Sequence, residues 1–251
     1  MIKVILSGCG GRMGKAVAAA VGNEVRIVAG VDINAASIAA SDFPIYERIT
    51  DFSGKADVIV DFSHLSALPS LLDYAKATGT PVVVATTGHT DEELSLMREA
   101  AKTVAIFHSG NFSIGINLII NLAKQAARTL GADFDIEIIE KHHNKKLDAP
   151  SGTALMIANA VADERDESEY IYDRHSVRKA REPKEIGIHS VRGGNIVGEH
   201  EVIFAGANEV VSISHSAASR EIFANGALRA AIYLAGKSAG LYSMTDLIEG
   251  K

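Results

Sequence analysis

Short runs of consecutive apolar residues alternate with helical patterns up to about residue 112. The apolar runs are rich in β-branched side chains, and each is followed by a small or polar residue: Ile2–Leu6, Val25–Val31, Ala56–Val60, Pro81–Ala85 and Thr103–Phe107. The helical patterns between them cover Arg12–Val21, Leu65–Ala77 and Asp91–Lys102. In the last of these, Thr90 and Glu93 have the spacing of a capping box. This alternation predicts a parallel sheet with helices on both faces.

The pattern changes after residue 112. A long amphipathic helix is predicted for Ile114–Leu130, and a second helix begins after Ser151. The strand candidates mix polar and apolar positions: Asp135–Glu140, Glu185–Arg192, Glu201–Phe204 and Glu209–His215. Such mixing is typical of a largely antiparallel sheet with one exposed face. Asp163–Glu182 is rich in charge and is predicted to be a surface excursion, whereas Glu221–Ala239 is predicted to be a helix.

These patterns predict an α/β protein with two domains. Residues 1–112 and 220–251 are expected to form a Rossmann-type doubly wound parallel sheet that binds a dinucleotide. Residues 113–219 are expected to form an α+β domain with a mixed, largely antiparallel sheet.

Composition narrows the class of protein. Hydrophobic residues make up 47% and charged residues 22% of the chain, as in ordinary globular proteins. The net charge of -6 argues against general nucleic-acid binding, which needs a broad basic surface. No apolar run reaches the roughly 18 residues that a membrane span needs. The single cysteine allows no internal disulfide, so we expect a cytoplasmic protein.

A glycine-rich loop, GCGGRMG, lies between the first predicted strand and helix. Gly8, Gly11 and Gly14 lack Cβ atoms, which would let a phosphate reach backbone N–H groups at the start of the helix. Asp32 ends the second predicted strand, where an acid hydrogen-bonds the ribose hydroxyls of a dinucleotide. The next residue, Ile33, is not basic and favours NAD(H), although Arg12 could supply charge for NADP(H). The alternative is a purely structural turn beside a surface aspartate.

Polar residues also follow the third and fourth predicted strands, in the segments DFSH (Asp61–His64) and TTG (Thr86–Gly88). The carboxyl ends of parallel strands line the ligand crevice of a doubly wound sheet. These residues are therefore candidates for contacts with ribose and nicotinamide, with helix capping as the alternative.

The segment EKHHNKKLDAPSGTA, Glu140–Ala154, concentrates imidazole and positive charge on an acidic chain. A metal site is not expected, because adjacent histidines in a strand point to opposite faces and the lysines would repel a cation. A small dicarboxylate fits better: Lys146 offers a point charge and Ser151 begins a helix whose first N–H groups can bind an anion. Histidine is the natural proton donor near neutral pH. The alternative is a solvated basic turn followed by a capped helix.

Seven segments occur in the order and spacing of one enzyme family: GCGGRMG, DFSH, ATTG, SGNFSIGIN, EKHHNKKLDAPSGTA, RGGNIVGEHEVIF and SREIFANGALRAA. The chain resembles the 4-hydroxy-tetrahydrodipicolinate reductase (dihydrodipicolinate reductase) family, which acts in the diaminopimelate route to lysine. The resemblance covers essentially the whole chain, and its HHxxKxDAPSGT signature is far more specific than the glycine loop.

The resemblance implies hydride transfer from NADH or NADPH to C4 of a cyclic imine, with loss of the 4-hydroxyl as water. It implies that His142 is the proton donor and Lys146 the second catalytic residue. The positions implied to hold the substrate carboxylates are His143, Lys146, Ser151, Gly152 and Thr153. The positions implied to bind the cofactor are Gly8, Arg12, Met13, Asp32, Phe62, Thr86, Thr87, Gly88, Ser109, Gly110, Asn111 and Phe112.

The resemblance also bears on cofactor choice and assembly. Family members often carry arginine after the ribose-binding acid, and Ile33 at this position favours NADH or the use of both cofactors. The family is usually a homotetramer assembled through the sheet of the second domain, and no metal is implied.

Two other functions fit part of these patterns. A semialdehyde dehydrogenase that forms a thioester needs a reactive cysteine in its substrate domain, but Cys9 lies in the glycine loop. A regulatory nucleotide-binding protein of the same fold would not need the histidines and lysine of the signature.

Overall fold

The structure is a computed structural model that describes residues 1–39 and 41–250. The chain divides into two compact units. The first contains Met1–Ile114 and the C-terminal segment from Glu221 onward, and the second contains Gly115–Arg220. These limits lie close to the predicted domain boundaries.

The strands and helices are numbered in chain order. The strands are β1 (Ile2–Ser7), β2 (Val25–Val31), β3 (Ile45–Tyr46), β4 (Val58–Asp61), β5 (Val82–Val84), β6 (Ala105–His108), β7 (Asp135–His142), β8 (Glu169–Ile171), β9 (Glu185–Arg192), β10 (Gly198–Ala205), β11 (Val210–Ala217) and β12 (Gly240–Tyr242). The α-helices are α1 (Arg12–Ala19), α2 (Leu68–Thr78), α3 (Asp91–Ala100), α4 (Ile114–Leu130), α5 (Gly152–Ala162), α6 (Glu221–Leu234) and α7 (Met244–Glu249).

The first unit contains a seven-stranded sheet in the order β12-β6-β5-β4-β1-β2-β3, and all its pairings are parallel. The strand order reverses at β1: β2 and β3 lie on one side of β1, and β4, β5 and β6 lie on the other side. Ligands of doubly wound sheets bind at such a point, beyond the carboxyl ends of the strands. The predicted Rossmann-type sheet is confirmed.

Both faces of this sheet are buried, which explains the continuous apolar strands. Val4 and Leu6 pack in a cluster that includes residues of α1, α6 and α7. Ile5 and Ile59 point to the opposite face and pack in a cluster that includes residues of α2 and α3. Alternate residues of β1 therefore belong to two different hydrophobic layers.

The second unit contains a five-stranded mixed sheet in the order β11-β10-β7-β9-β8. β10 is antiparallel to β7 and β11, whereas β9 is parallel to β7 and β8. A mixed sheet was predicted and is present. It is not largely antiparallel, however, because its antiparallel and parallel strand pairings are equal in number. The reason is that the chain runs through α5 and β8 between β7 and β9, and this long connection lets β9 return parallel to β7.

One face of this sheet is covered by helices of its own unit. Ile136 and Ile138 of β7 pack in a cluster that includes residues of α4 and α5. Along β7, every second residue points to the other face, as Ile139 and Lys141 do. The exposed Val191 and Val210 lie on that other face, which is called the open face below.

Several short elements were not predicted. The predicted helix Glu221–Ala239 ends at Leu234, and β12 and α7 follow it. β3 was also missed, and β8 lies within the predicted surface excursion. In the described ranges, none of the helices has both the length and the apolar character needed to cross a bilayer.

Candidate active site

The glycine loop connects β1 to α1 and has a conformation that only glycine accommodates easily. Gly8 has φ +76°, and a Cβ there would lie 2.5 Å from the carbonyl oxygen of Phe62. A Cβ on Gly14 would lie 2.6 Å from Cα of Cys9, so this glycine lets α1 approach the loop. Gly11 is the N-cap of α1, whose first turn carries no acidic residue. The helix N-terminus is thus open to an anion.

Asp32 lies directly beside this loop, at the end of β2. Its Oδ2 accepts a hydrogen bond from Gly10 N at 3.0 Å, and its Oδ1 accepts one from Asn34 N at 2.9 Å. The carboxylate is therefore held at the position expected of a ribose-binding acid. Ile33, the next residue, is 82% exposed. Gly10 was not among the predicted site residues, because its contact with Asp32 depends on the folded loop.

Asp61 organises the neighbouring strand ends. It is 2% exposed, and its Oδ1 accepts a hydrogen bond from Ser63 Oγ at 2.6 Å. Its Oδ2 accepts one from Thr86 Oγ1 at 3.0 Å. This buried carboxylate fixes the turns that follow β4 and β5.

A cavity of about 500 Å³ lies at these strand ends within the first unit. The predicted cofactor residues that line it are Gly11, Arg12, Met13, Phe62, Thr86, Thr87, Gly110, Asn111 and Phe112. The predicted residues that do not line it are Gly8, Gly14, Asp32, Gly88 and Ser109. Phe223 of α6 also lines the cavity, and sequence reasoning missed it because its position depends on how α6 packs.

These features fit a dinucleotide. The open N-terminus of α1 and the glycine loop suit its phosphates, and the fixed Asp32 suits its ribose. The cavity beside them has hydroxyl, amide and aromatic side chains of the kind that bind a nicotinamide and its ribose.

The second cluster of candidate residues is built on the end of β7. His142 is the last residue of this strand, and its side chain is 12% exposed. Nδ1 of His142 lies 2.6 Å from Oε2 of Glu140, two residues earlier on the same face of the strand. Glu140 itself is fully buried.

Arg192, on the neighbouring strand β9, binds Glu140 with both ends of its guanidinium. Nη1 donates to Oε2 at 2.7 Å and Nη2 donates to Oε1 at 2.6 Å. Burial alone would raise the pKa of Glu140, but hydrogen bonds from Arg192, His142 and Ser190 outweigh it and lower the pKa to about 2. Glu140 is therefore a charged carboxylate inside the second unit.

Ser151 begins α5 and joins it to this cluster. Its Oγ accepts a hydrogen bond from Ala154 N at 3.1 Å, so Ser151 is the predicted N-cap. Its backbone N donates to Oε1 of Glu140 at 3.1 Å. Gly152 is exposed, and the first turn of α5 carries no acidic residue. The start of α5 can therefore accept a carboxylate.

His200 of β10 also lies against these residues. It is 4% exposed, its Nε2 lies 3.1 Å from Ser151 Oγ, and its ring meets the His142 ring edge-on at 5.3 Å between centroids. Burial and the neighbouring His142 lower the pKa of His200 to about 4. His200 is thus a neutral neighbour of His142 near pH 7.

The lysines of the segment have different surroundings. Lys146 is 21% exposed at its side chain and pairs with Asp148 at 2.9 Å. Lys141 points to the open face, where it pairs with Glu199 at 3.0 Å. Lys145 is exposed. His143 lies beyond the end of β7, and within the described chain its buried Nδ1 has no hydrogen-bond partner.

No three His, Cys, Asp or Glu side chains are grouped as a metal site in the part of the chain that the structure describes.

The structure brings the predicted residues together in two groups, one in each unit. The glycine loop, Asp32 and the cavity form the first. His142, Lys146 and the start of α5 form the second.

Comparison with known proteins decides the family. Residues 2–112 match the family model for the N-terminus of dihydrodipicolinate reductase, and residues 115–248 match the model for its C-terminus. The chain belongs to the dihydrodipicolinate reductase family. The resemblance predicted from the sequence is confirmed.

Individual relatives agree with this assignment. The 4-hydroxy-tetrahydrodipicolinate reductase of Caldanaerobacter subterraneus subsp. tengcongensis is 53% identical over 252 residues, which cover 99% of each chain. The reductase of the same name from Clostridium novyi is 51% identical over 254 residues and is matched over the whole of both chains.

Solved structures support the fold. A dipicolinate-bound dihydrodipicolinate reductase from Paenisporosarcina sp. TG-14 has a TM-score of 0.79, with 26% identity and 97% of both chains covered. A DAP dehydrogenase of C. glutamicum has a TM-score of 0.57 at 14% identity, over 97% of this chain and 92% of its own, and shares the fold alone.

As a member of the dihydrodipicolinate reductase family, the chain is an NAD(P)H-dependent oxidoreductase. It catalyses the reduction of 4-hydroxy-tetrahydrodipicolinate to tetrahydrodipicolinate, with loss of water, in diaminopimelate and lysine biosynthesis. The predicted activity is confirmed, and the thioester-forming dehydrogenase and the regulatory protein are set aside.

Proposed function

We propose that the residues of the two units divide the reaction between them. The first unit holds NAD(P)H at the glycine loop and Asp32, and the second holds the dicarboxylate and protonates it. One observation carries the second half of this proposal: the two oxygens of Glu140 contact His142 Nδ1 and Ser151 N. A proton donor is thereby held beside a helix N-terminus that can bind a carboxylate.

In the second unit, we assign His142 as the proton donor and Lys146 as the second catalytic residue. Lys146 supplies positive charge for a substrate carboxylate, and Gly152 and Thr153 supply backbone N–H groups of α5. His143, with its buried Nδ1, and Ser151 complete the carboxylate site. The dipicolinate bound to the Paenisporosarcina reductase is a dicarboxylate of this kind.

In the first unit, the glycine loop and α1 would hold the cofactor phosphates and Asp32 the adenosine ribose. Phe62, Thr86–Gly88 and Ser109–Phe112 would bind the nicotinamide half. The reduced nicotinamide supplies the hydride that the reaction consumes. We propose NADH, or both cofactors, because the exposed Ile33 offers no positive charge for a 2′-phosphate.

The overall reaction takes up one hydride and one proton and releases one water molecule. In this proposal the proton comes from the imidazolium of His142, since histidine exchanges protons near neutral pH. The residues named for either role include no metal ligand set, and we propose that the reaction needs no metal.

We also propose a homotetramer that forms through the open face of the second unit's sheet. Ile139, Val191, Ile203 and Val210 give this face apolar character, and Val210 is 63% exposed. An apolar sheet face of this kind is typical of an interface. We propose the cytoplasm as the location, because one cysteine leaves no internal disulfide.

Binding of dipicolinate tests the dicarboxylate site without catalysis. Lys146→Met should raise the dissociation constant for dipicolinate by about 10-fold, because a charged partner of the carboxylate is lost. Lys145→Met is the matched control, since Lys145 is adjacent in sequence but exposed. Equal affinities of the two variants, measured by titration calorimetry, would contradict the assignment of Lys146.

A further inference from the structure

Glu140 is a charged carboxylate with no exposed surface, and the proposed reaction does not use it directly. Oε2 accepts hydrogen bonds from His142 Nδ1 and Arg192 Nη1, and Oε1 accepts from Ser151 N and Arg192 Nη2. Burying a charge so completely costs free energy unless it is paired and fully hydrogen-bonded. Glu140 meets that condition by contacting the proposed proton donor and the start of α5 at once.

We propose that Glu140 is a positioning residue of the reductase: it fixes the His142 ring with Nδ1–H toward the carboxylate and leaves Nε2 as the nitrogen that releases the proton. This inference rests on the proposed role of His142. It assigns to Glu140 no contact with substrate or cofactor.

The protonation states follow from hydrogen-bond chemistry. An ionised carboxylate only accepts, so Nδ1 must carry a hydrogen whether the ring is neutral or protonated. The imidazolium carries a second hydrogen on Nε2. When Nε2 passes its proton to the substrate, the ring becomes neutral, keeps Nδ1–H and remains bonded to Glu140. The contact therefore selects one tautomer.

Arg192 keeps this carboxylate charged and fixes the following loop. Its Nη2 also donates to the carbonyl oxygen of Asp148 at 2.7 Å. The backbone N of Gly193 donates to the carbonyl oxygen of His142 at 2.9 Å. The end of β9 thus contacts both the end of β7 and the loop before α5. These contacts hold in place the backbone that carries the His142 ring.

Several charged or titratable groups surround His142. They are Glu140 on its own strand, Arg192 on β9, His200 on β10 and, in the following loop, His143 and the pair of Lys146 and Asp148. His200 stays neutral in the pH range of an assay, because burial and His142 lower its pKa to about 4. Glu140 is the group that contacts a ring nitrogen of His142, so its removal should affect the ring most.

The first test is the Glu140→Gln variant of the full chain. Its kcat/KM should fall on the order of 10²-fold, while the dissociation constant for NADH stays unchanged. A wild-type kcat/KM would overturn the proposal.

Glu164→Gln is the matched control. Glu164 accepts two hydrogen bonds from Arg128 in the same unit, at 2.9 and 3.0 Å, away from His142. Its loss also breaks a bidentate pair with arginine, but kcat/KM should stay close to that of the wild type. An equal fall in kcat/KM in both variants would mean that loss of any such pair has this effect, and would overturn the proposal.

A second readout does not depend on turnover. In protein with ¹⁵N-labelled histidine, the ring signals of His142 can be assigned by their loss in His142→Gln. The neutral ring should carry its hydrogen on Nδ1 in the wild type and should become a mixture of tautomers in Glu140→Gln. An unchanged tautomer would overturn the proposal. Full turnover by His142→Gln would instead refute the proposed role of His142 as proton donor, and the spectrum would still report the contact with Glu140.

Glu140→Gln leaves Arg192 as an unpaired, mostly buried charge, and this could prevent folding. The double variant Glu140→Gln/Arg192→Gln removes both charges and supports the same measurements. The same mixture of tautomers is expected. A wild-type tautomer in the double variant would overturn the proposal.

Discussion

At the scale of single residues, the alternation of side chains along β7 separates groups that are adjacent in sequence. Glu140 and His142 lie on the helix-covered face, whereas Lys141 lies on the open face and pairs with Glu199. The concentration of positive charge seen in the sequence is therefore divided between two surfaces. Lys146, which follows the strand, remains as the proposed partner of the substrate carboxylate.

Cofactor choice is predicted to depend on Ile33. Ile33→Arg should raise the ratio of kcat/KM with NADPH to that with NADH by about 10-fold, because the new guanidinium can pair with a 2′-phosphate beside Asp32. Packing should not change, since Ile33 is 82% exposed. Ile33→Gln is the neutral control for side-chain length and polarity. A ratio that does not respond to arginine would show that selectivity is determined elsewhere.

The sequence predicted site residues that belong to short motifs, but not those whose role depends on a distant partner. Glycine spacing and a strand-ending acid led to the prediction that Gly8 and Asp32 bind the cofactor, and this stays a prediction. Glu140 was part of the quoted signature, yet its proposed role could not be predicted because Arg192 follows it by 52 residues. No local pattern indicates that β7 and β9 are neighbours. For the same reason the contact of His200 with Ser151 could not be predicted.

At the scale of elements, both proposed sites include the start of a helix that follows a strand. α1 follows β1 through the glycine loop, and α5 follows β7 through the loop that contains Lys146. Neither helix has an acidic residue in its first turn, so the positive end of each helix dipole is available to an anion. Phosphate and carboxylate can thus be bound by the same backbone chemistry.

The shape of the glycine loop is predicted to be essential for cofactor binding. Gly8→Ala adds a Cβ that would lie 2.5 Å from Phe62 O, at a residue with φ +76°. The backbone conformation alone costs about 1–2 kcal/mol for alanine. The dissociation constant for NADH should rise by about 10-fold or more, as measured by fluorescence titration. Gly22→Ala, where a Cβ meets nothing within 4 Å, should bind NADH normally. Equal binding by both variants would contradict this role of Gly8.

The longer elements were predicted well because their patterns extend over several turns or strand positions. α4 and β9 have the predicted bounds, and the capping box of Thr90 and Glu93 is confirmed. β3, β8 and β12 have only two or three residues each, which is too short for a recognisable period. Their strand conformation comes from pairing with β2, β9 and β6, which only the tertiary fold provides.

At the scale of the whole molecule, the two units differ in how their sheets are covered. Helices bury both faces of the seven-stranded sheet, whereas β10 and β11 of the smaller sheet have one face without helices. Arg174 and Arg181 of the surface excursion bind Glu137 on the open face of β7. The rest of that face has exposed valines and is the proposed subunit interface.

The proposed assembly can be tested by sedimentation velocity. Val191→Lys/Val210→Lys should convert a tetramer into smaller species, because four copies would bring these lysines together in the interface. Leu96→Lys/Leu118→Lys replaces two exposed leucines elsewhere and should leave the tetramer intact. A wild-type protein that sediments as a monomer would contradict the assembly.

The central claim is that His142 donates the proton in the reduction of 4-hydroxy-tetrahydrodipicolinate. Turnover of His142→Gln, measured by the loss of NADH absorbance with freshly prepared substrate, tests it most directly. The kcat should fall by about 10²-fold or more. The dissociation constant for NADH should stay within about twofold of the wild type, because the proposed cofactor residues lie in the other unit. A kcat close to that of the wild type would contradict the claim.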